Sequence, residues 1–300
     1  MARFNRSENV RNPGDEPRAA VRIALVGAYG DAADDAGCYL HAIQDNEILI
    51  MIEDGRVLRE GAVALVTGAS SGIGAAVATA LAQRGMRVVC AARDHQRLTE
   101  VVEGLGGQGL GIEADVTDLA AVKSLVDRLP RDWQEIDVLV NAAGHDAGGR
   151  KPFHECDEHQ MAEIIEANVI GLMWVTRRVI DGMRARGRGH IVNIGSITGL
   201  RPYPTGTIYT ASKHAVHGFS EALRLDYRET GIRVTEILPG MVRTGFATAR
   251  LGDAEAAARF YDEFGVCLEA ADIARTVIFA LEQPAHVVIS QLVVMPGGGA

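Results

Sequence analysis

From residue 62 onward, short continuous runs of apolar residues alternate with longer stretches in which apolar residues recur every three or four positions. Continuous apolar runs are typical of parallel strands covered on both faces, and the recurring pattern is typical of amphipathic helices. We therefore predict a three-layer, doubly wound α/β fold around a seven-stranded parallel sheet. The predicted strands are residues 62–66, 87–92, 110–114, 136–140, 190–194, 232–238 and 287–294.

This pattern also sets the domain organisation. Residues 61–300 are predicted to form one domain, in which right-handed crossovers bring all strand C-termini to one edge, where ligands bind. Residues 1–60 form an N-terminal extension of unknown role, in which residues 47–51 and 56–60 could pair as a hairpin around Asp54-Gly55. A second hypothesis treats residues 1–50 as an appendage or as an upstream misassigned start, with Met51 as the natural first residue.

Composition excludes several classes of function. The 300 residues are 47% apolar and 23% charged, as in ordinary globular proteins, and the net charge of −9 argues against nucleic acid as a partner. No apolar run reaches the ~18 residues of a membrane span. The four cysteines, Cys38, Cys90, Cys156 and Cys267, are far apart, so neither a metal site nor a disulfide framework is expected. We predict a cytoplasmic protein.

A glycine-rich segment lies between the first predicted strand and the first predicted helix. Glycines in this position allow a tight turn and the close approach of a pyrophosphate, which the helix N-terminus then stabilises. The spacing, three residues and then one between glycines, differs from the common dinucleotide fingerprint. The predicted cofactor-binding residues of this segment are Gly68, Ser70, Ser71, Gly72, Ile73 and Gly74.

The end of the second predicted strand distinguishes the two nicotinamide cofactors. An acidic residue there would bind the adenosine ribose diol and repel a 2′-phosphate. This strand ends instead in Ala91 and Ala92, which leave room, and Arg93 follows, which can face the phosphate. Asp94 is an opposing charge next to it. We predict NADP(H) in preference to NAD(H).

The third and fourth strand ends supply further cofactor contacts, through an acidic residue near the adenine and small residues that admit a flat ligand. These candidates are Asp115, Val116, Asn141, Ala142 and Gly144.

Four polar residues further along the chain are the candidates for chemistry. Asn168 lies in an apolar helical stretch, where a buried polar side chain needs a partner, and Ser196 directly follows the fifth strand. Tyr209 and Lys213 are four apart and so share one face of a helix. A phenol with a pKa near ~10 becomes more acidic beside an ammonium group. An ordinary amphipathic helix with a buried tyrosine is the alternative.

The order and spacing of these motifs resemble those of the short-chain dehydrogenase/reductase family. The motifs are Thr67-Gly-Ala-Ser-Ser-Gly-Ile-Gly74, Asn141-Ala-Ala-Gly144, Asn168, Ser196, Tyr209-x-x-x-Lys213 and Pro239-Gly240. The likeness covers residues 61–300, and Ala142 departs from it, because the family usually has a second asparagine there.

The resemblance implies a Rossmann fold and hydride transfer between NADP(H) and an alcohol or carbonyl. It implies that Tyr209 is the general acid–base at the substrate oxygen and that Lys213 lowers its pKa and holds the nicotinamide ribose. Ser196 would stabilise charge on the same oxygen, and Asn168 would hold a water in a proton relay. The cofactor residues that the resemblance adds are Tyr209, Lys213, Pro239, Gly240 and Thr244.

Two stretches, residues 129–137 and 283–296, resemble a subgroup that acts on small 3-hydroxy acids, including serine. A free carboxylate substrate needs a cationic or amide-rich anchor, for which Arg201 and Arg243 are the candidates. The segment 246–268 lies where the family has its substrate lid. We therefore predict a small alcohol or carbonyl substrate, with a 3-hydroxy acid as one specific form.

Two alternatives remain open at this point. A 3-oxoacyl-acyl-carrier-protein reductase would need a basic docking face beside the active-site mouth, because its partner is acidic. Residues able to supply it are Arg177, Arg178, Arg184, Arg186 and Arg188. A non-catalytic nucleotide sensor on the same fold would be expected to have a broken catalytic set, and all four catalytic positions are intact.

The helix that carries Tyr209 and Lys213 has more apolar surface than one core-facing stripe requires. We therefore predict a homotetramer or homodimer.

Overall fold

The computed structural model describes residues 22–23, 39–44, 47–51 and 57–297. The chain divides into two compact units, Met1–Asp54 and Gly55–Ala300. In the first unit, β1 (Arg22–Ile23), β2 (Tyr39–Gln44) and β3 (Glu47–Met51) form an antiparallel sheet in the order β1-β3-β2.

The predicted pairing of residues 47–51 with residues 56–60 is wrong. Strand β3 pairs with β2, and the paired ends Gln44 and Glu47 leave a two-residue connection, the commonest hairpin length. Residues 52–56 lie outside the described part of the chain, and residues 57–60 are not in a strand.

In the second unit, a seven-stranded parallel sheet confirms the predicted fold class. The strand order is β12-β9-β8-β7-β4-β5-β6. The strands are β4 (Val63–Thr67), β5 (Arg87–Ala92), β6 (Gly109–Glu113), β7 (Ile136–Asn141), β8 (Gly189–Ile194), β9 (Ile232–Pro239) and β12 (Gln291–Val294). A short parallel pair, β10 (Val242–Arg243) and β11 (Leu268–Glu269), lies outside this sheet.

Helices cover both faces of the sheet. They are α1 (Gly72–Ala82), α2 (His95–Glu103), α3 (Leu119–Ser124), α4 (Glu158–Ile165), α5 (Leu172–Arg186), α6 (Thr207–Asp226), α7 (Phe246–Leu251), α8 (Ala254–Phe264) and α9 (Ala270–Leu281). Buried side chains of α1, α2 and α9 form one core layer, and those of α3, α5 and α6 form the other. A π-helical segment, Glu166–Gly171, joins α4 to α5.

The last strand is shorter than predicted, because the carbonyl groups of Val287 and Ile289 accept from the side chains of Arg233 and Thr235, and backbone pairing with β9 starts at the Ser290 carbonyl. Arg233 donates from Nη1 to the carbonyl oxygens of Gln283, Pro284 and Val287 at 2.9, 3.2 and 3.3 Å. The parallel ladder therefore begins only at Gln291.

The strand order reverses direction between β4 and β7, which are adjacent in the sheet although two strands separate them in the chain. Ligands bind at such a switch point in doubly wound sheets, at the carboxyl ends of the strands. Among the described residues, no helix is both long and apolar enough to cross a membrane. Within the same residues, no cluster of three metal-ligating side chains occurs, and Cys90, Cys156 and Cys267 are free thiols.

Candidate active site

The glycine-rich turn between β4 and α1 is shaped by backbone packing. Gly68 has φ +65°, and a Cβ there would lie 2.8 Å from Cα of Ala143; a Cβ on Gly74 would lie 2.3 Å from the Gly68 carbonyl oxygen. Ser71 precedes α1 in extended conformation and, within residues 57–297, forms no side-chain hydrogen bond that caps the helix. The first N–H groups of α1 are thus available to an anion, as a pyrophosphate site requires.

The ends of β5 and β6 bring Arg93 and Asp115 together, with Nη1 and Oδ2 3.5 Å apart. Burial raises the pKa of Asp115, but hydrogen bonds from Thr117 and the charge of Arg93 outweigh it and hold the pKa below its ordinary value. The Arg93 side chain is 68% exposed, so it remains accessible to a phosphate on the adenosine ribose. Val116 is buried and packs against the π-helical segment at Gly171.

Tyr209, Lys213 and Ser196 converge at the carboxyl ends of β8 and β9. Lys213 is buried and donates from Nζ to the Ile194 carbonyl oxygen at 2.9 Å, while Nζ lies 5.7 Å from the centroid of the Tyr209 ring. The Ser196 and Tyr209 side chains line the same cavity. A substrate oxygen beside the two hydroxyl groups would therefore meet a proton donor and a second hydrogen-bond donor.

The pKa of Tyr209 is raised, contrary to the predicted lowering by Lys213. Burial is the largest cause, and the Arg250 guanidinium and the Ser196 hydroxyl oppose it. One side of the phenol borders an open cavity, so the ring is only half-buried by its solvent exposure, but the surrounding protein still disfavours the phenolate. Burial likewise lowers the pKa of Lys213 to about 8.

Two predicted asparagines form hydrogen bonds within the protein. Asn168 accepts from the His145 backbone N–H at 2.8 Å and donates to the Ser212 hydroxyl at 3.0 Å, which ties the loop after β7 to α6. Asn141 is buried and donates to Thr176 and Asn193. The water-holding role of Asn168 and the cofactor contact of Asn141 stay predictions, because these side-chain bonds neither require nor test them.

A cavity of about 360 Å³ is lined by most of the remaining predicted residues and by residues of α7 and α8. The predicted residues that line it are Ile73, Ala142, Gly144, Ser196, Tyr209, Lys213, Pro239, Gly240 and Thr244. Helices α7 and α8 close one side through Phe246, Phe260 and Phe264. The Phe246 ring stands edge-on to Tyr209, with centroids 5.6 Å apart.

Arg250 on α7 is a site residue that the sequence analysis missed. It is only 8% exposed; its Nε lies 2.8 Å from Oδ2 of buried Asp146, and its Cζ lies 5.7 Å from the Tyr209 ring centroid. Arg250 follows Phe246 by four residues, and this helical spacing was the available signal. Its partner, Asp146, could not have been found, because only the fold brings the two together.

Of the two arginines predicted as carboxylate anchors, one lines the cavity and the other does not. Arg201 is exposed and lines the cavity. Arg243 does not line it. Its Cζ lies 5.0 Å from the Tyr261 ring centroid, and its Nη2 lies 3.5 Å from Oδ1 of Asp262.

Two of the five basic residues considered for docking an acidic carrier protein lie at the end of the sheet opposite the active site. Arg186 donates to the Ile136 carbonyl oxygen at 2.6 Å, and Arg188 to Asp137 at 3.3 Å, both at the amino-terminal end of β7. Arg177 pairs with Asp181 on its own helix. The active site is at the carboxyl ends of the strands, so Arg186 and Arg188 do not border its mouth.

Comparison with known proteins agrees with this geometry. The family model for short chain dehydrogenase matches residues 62–254. The chain belongs to the short-chain dehydrogenase/reductase family. It is therefore an NAD(P)-dependent oxidoreductase acting on CH–OH groups, as predicted.

Relatives of this chain include a protein from Salmonella typhi named NADP-dependent 3-hydroxy acid dehydrogenase YdfG. The two are 40% identical over 236 residues, which cover 78% of this chain and 94% of the relative. A solved structure, the closed form of serine dehydrogenase complexed with NADP+, is 37% identical with a TM-score of 0.76 and covers 78% of this chain and 94% of its own. An actinorhodin polyketide ketoreductase with NADPH is 32% identical with a TM-score of 0.72, and the coverage is 79% and 97%.

Proposed function

We propose that this dehydrogenase interconverts a small 3-hydroxy acid and the corresponding 3-oxo acid with NADP(H). The observation that carries the proposal is the sign of charge in the cavity. Within residues 57–297, the charged side chains that line it are all cationic: Arg150, Arg201, Lys213 and Arg250. A pocket walled by aromatic and apolar groups with several cations favours a small anion.

Arg250 is the anchor that this function requires. Its guanidinium pairs with Asp146 and packs against the edge-to-face pair of Tyr209 and Phe246, with Cζ 5.7 and 4.9 Å from the two ring centroids. The ion pair with Asp146 fixes the guanidinium, and a carboxylate can be bound by its remaining N–H groups. In a 3-hydroxy acid, the carbon that bears the hydroxyl group is two bonds from the carboxylate carbon. With the carboxylate bound to Arg250, this carbon would lie near the Tyr209 hydroxyl.

The catalytic residues then act on the substrate oxygen. Tyr209 exchanges a proton with it, and Ser196 donates a hydrogen bond that stabilises its developing charge. Lys213 keeps a positive charge beside the phenol. The nicotinamide cofactor supplies the hydride chemistry.

The cofactor is NADP(H), and the predicted preference is confirmed by relatives named NADP-dependent and by similar structures with NADP+ or NADPH bound. The site has features that fit the cofactor: the uncapped start of α1, the close backbone approach at Gly68, and the exposed Arg93 at the end of β5.

The test is a substrate panel with NADP+ and NAD+ in parallel, comparing 3-hydroxypropionate and serine with methyl 3-hydroxypropionate. We expect the acids to be preferred, and Arg250→Gln to lower kcat/KM for the acids by about 10- to 100-fold, since one charged hydrogen bond is lost. The acid-to-ester ratio is the readout, because a general loss of folding lowers both substrates together.

Arg243→Gln is the matched control, as Arg243 is cationic and near the lid but does not line the cavity. Equal losses on acid and ester in Arg250→Gln would contradict the anchor. Activity confined to an acyl-carrier thioester would replace the proposal with the reductase alternative.

A further inference from the structure

Glu236 on β9 is a buried carboxylate directly behind the catalytic residues. It has no solvent exposure, and its Oε2 accepts a hydrogen bond from Nδ1 of His217 at 2.8 Å. Its Oε1 is also buried and, among the residues that the structure describes, has no hydrogen-bond partner. A buried carboxylate in a sheet core is costly unless other charges compensate it, so its position needs an explanation.

Glu236 and Lys213 lie beside consecutive residues of the turn after β8. Lys213 binds the carbonyl oxygen of Ile194 at 2.9 Å, and Oε1 of Glu236 lies 2.4 Å from where a Cβ on Gly195 would stand. Only a glycine at position 195 leaves room for this carboxylate. Gly195 directly precedes catalytic Ser196. The Glu236 carboxylate therefore packs against the turn 194–196, whose Ile194 carbonyl binds Lys213.

The charged groups that face Glu236 come mainly from α6. His217 is one helical turn from Lys213, and its Nε2 lies 3.7 Å from Glu221, which is 55% exposed. Arg224 is occupied by the carbonyl oxygens of Val234 and Ser290 at 3.1 and 2.9 Å. From β12, the neutral Gln291 lies 3.5 Å from Nδ1 of His217.

We propose that Glu236 is a positioning residue that keeps Lys213 charged and seated on the Ile194 carbonyl, and that His217 holds Glu236 in its charged form. The series His217–Glu236–Lys213–Tyr209 links a partly exposed imidazole to the catalytic phenol. The proposal rests on the family's reaction and not on the identity of the substrate.

Each charge shifts the pKa of its neighbour in the direction that this role requires. Burial lowers the pKa of Lys213 to about 8, and the charge of Glu236 opposes that effect. Burial raises the pKa of Glu236, and the hydrogen bond and charge of His217, followed by Lys213 and Arg224, oppose it. Removing the carboxylate therefore lowers the pKa of Lys213, so the lysine loses its proton at a lower pH.

The chain has three lysines, Lys123, Lys151 and Lys213, so the test can observe Lys213 directly. The full-length protein is labelled with [ε-13C]lysine and titrated by NMR, with Lys213→Met assigning the signal and the two exposed lysines as internal references. We expect the Lys213 signal to titrate at about pH 8 in the parent protein. In Glu236→Gln it should titrate about one pH unit lower.

Glu221→Gln is the matched control. The Glu221 carboxylate lies near His217 but does not reach the 194–195 turn, so its removal should not shift the Lys213 titration. Glu236→Asp keeps the charge and should recover most of the parent value. His217→Leu leaves Glu236 without its donor, so the carboxyl group takes up a proton and the Lys213 titration moves in the same direction as in Glu236→Gln. This second variant tests the proposal if Glu236→Gln does not fold.

Activity gives the second readout, as the pH dependence of kcat/KM for NADPH-dependent reduction of methyl acetoacetate, an uncharged probe. The high-pH decline should move to lower pH in Glu236→Gln by the same interval as the NMR titration. An unchanged Lys213 titration in folded Glu236→Gln, or a uniform loss of activity at all pH values, would overturn the proposal and leave Glu236 a purely structural role.

Discussion

At the scale of single residues, the site is a small group of polar atoms whose properties are set by burial. Burial makes Tyr209 a weaker acid and Lys213 a weaker base, while the charges of Arg250 and Glu236 oppose these effects. Two cations, Lys213 and Arg250, lie near the phenol, each 5.7 Å from its ring centroid. The phenol therefore stays protonated and can deliver its proton to a substrate oxygen, while the charge of Arg250 reduces the cost of forming the phenolate.

Tyr209→Phe removes the proton donor and preserves the ring that packs edge-on against Phe246. We expect kcat to fall by about 10²- to 10⁴-fold, the usual contribution of general acid–base catalysis. Single-turnover kinetics and NADP+ titration would check this, with cofactor affinity retained.

Tyr203→Phe is the control for Tyr209→Phe, because Tyr203 lines the same cavity and its hydroxyl approaches Arg250 only at 3.5 Å. Turnover by Tyr209→Phe equal to that of the Tyr203→Phe control would assign the proton transfer to another group.

At the scale of elements, two segments place these residues. The π-helical segment 166–171 carries Asn168 to where its amide bridges the loop after β7 and α6, the helix that bears Tyr209 and Lys213. Such π-helical turns are frequent at functional sites, since the extra residue redirects a side chain. Helix α7 carries Phe246 and Arg250 on one face, so the lid brings an aromatic wall and a cation together.

The turn from β4 to α1 gives a prediction at this scale. In Gly74→Ala the new methyl would meet the Gly68 carbonyl oxygen at 2.3 Å, so the turn must open. We expect the free energy of unfolding to fall by about 1–3 kcal/mol, the usual cost of overpacking, and NADP+ affinity to fall with it. Urea unfolding and NADP+ titration measure the two effects.

Gly218→Ala provides the contrasting substitution. Gly218 lies within α6, and a Cβ there would meet no heavy atom within 4 Å among the described residues. Because alanine favours the helix interior, this variant should be more stable by about 0.5–1 kcal/mol. Equal destabilisation by both substitutions would contradict the packing explanation for Gly74.

At the scale of the whole molecule, every candidate site residue lies in the unit Gly55–Ala300. The division into an extension, residues 1–60, and a domain, residues 61–300, stays a prediction, as do a cytoplasmic location and a homotetrameric or homodimeric state. Leu225 on α6 is 67% exposed, in line with the apolar surface on which the oligomer prediction rests.

Deleting residues 1–54 should leave kcat/KM within about twofold of the full chain, because no site residue is removed. Steady-state kinetics at matched concentrations test this, and light scattering of both forms reports the oligomeric state. A large loss of activity with unchanged oligomeric state would show that the extension takes part in the function.

Local pattern was enough to predict the seven strands, the glycine-rich turn and the residues Ser196, Tyr209 and Lys213. Strand periodicity, turn glycines and helical spacing depend on neighbouring positions, so the sequence by itself determined the fold class. The resemblance of the motifs to a known family implied the reaction, and the residues at the end of the second strand indicated the cofactor. The errors of the sequence analysis had two sources. Arg233 binds carbonyl groups about 50 positions away, before the last strand, whereas the hairpin error was local, because residues 47–51 pair with the strand that precedes them.

Tertiary structure alone decided which charges surround the catalytic phenol. Asp146 and Arg250 are 104 positions apart and form a buried ion pair, and Glu236 reaches Gly195 across the sheet. Desolvation depends on the entire surroundings of a group, which no local pattern encodes, so burial could reverse the predicted direction of the Tyr209 pKa. The sequence therefore determined that a hydride is transferred, whereas the packed fold decided the cationic cavity on which the proposed 3-hydroxy acid substrate depends.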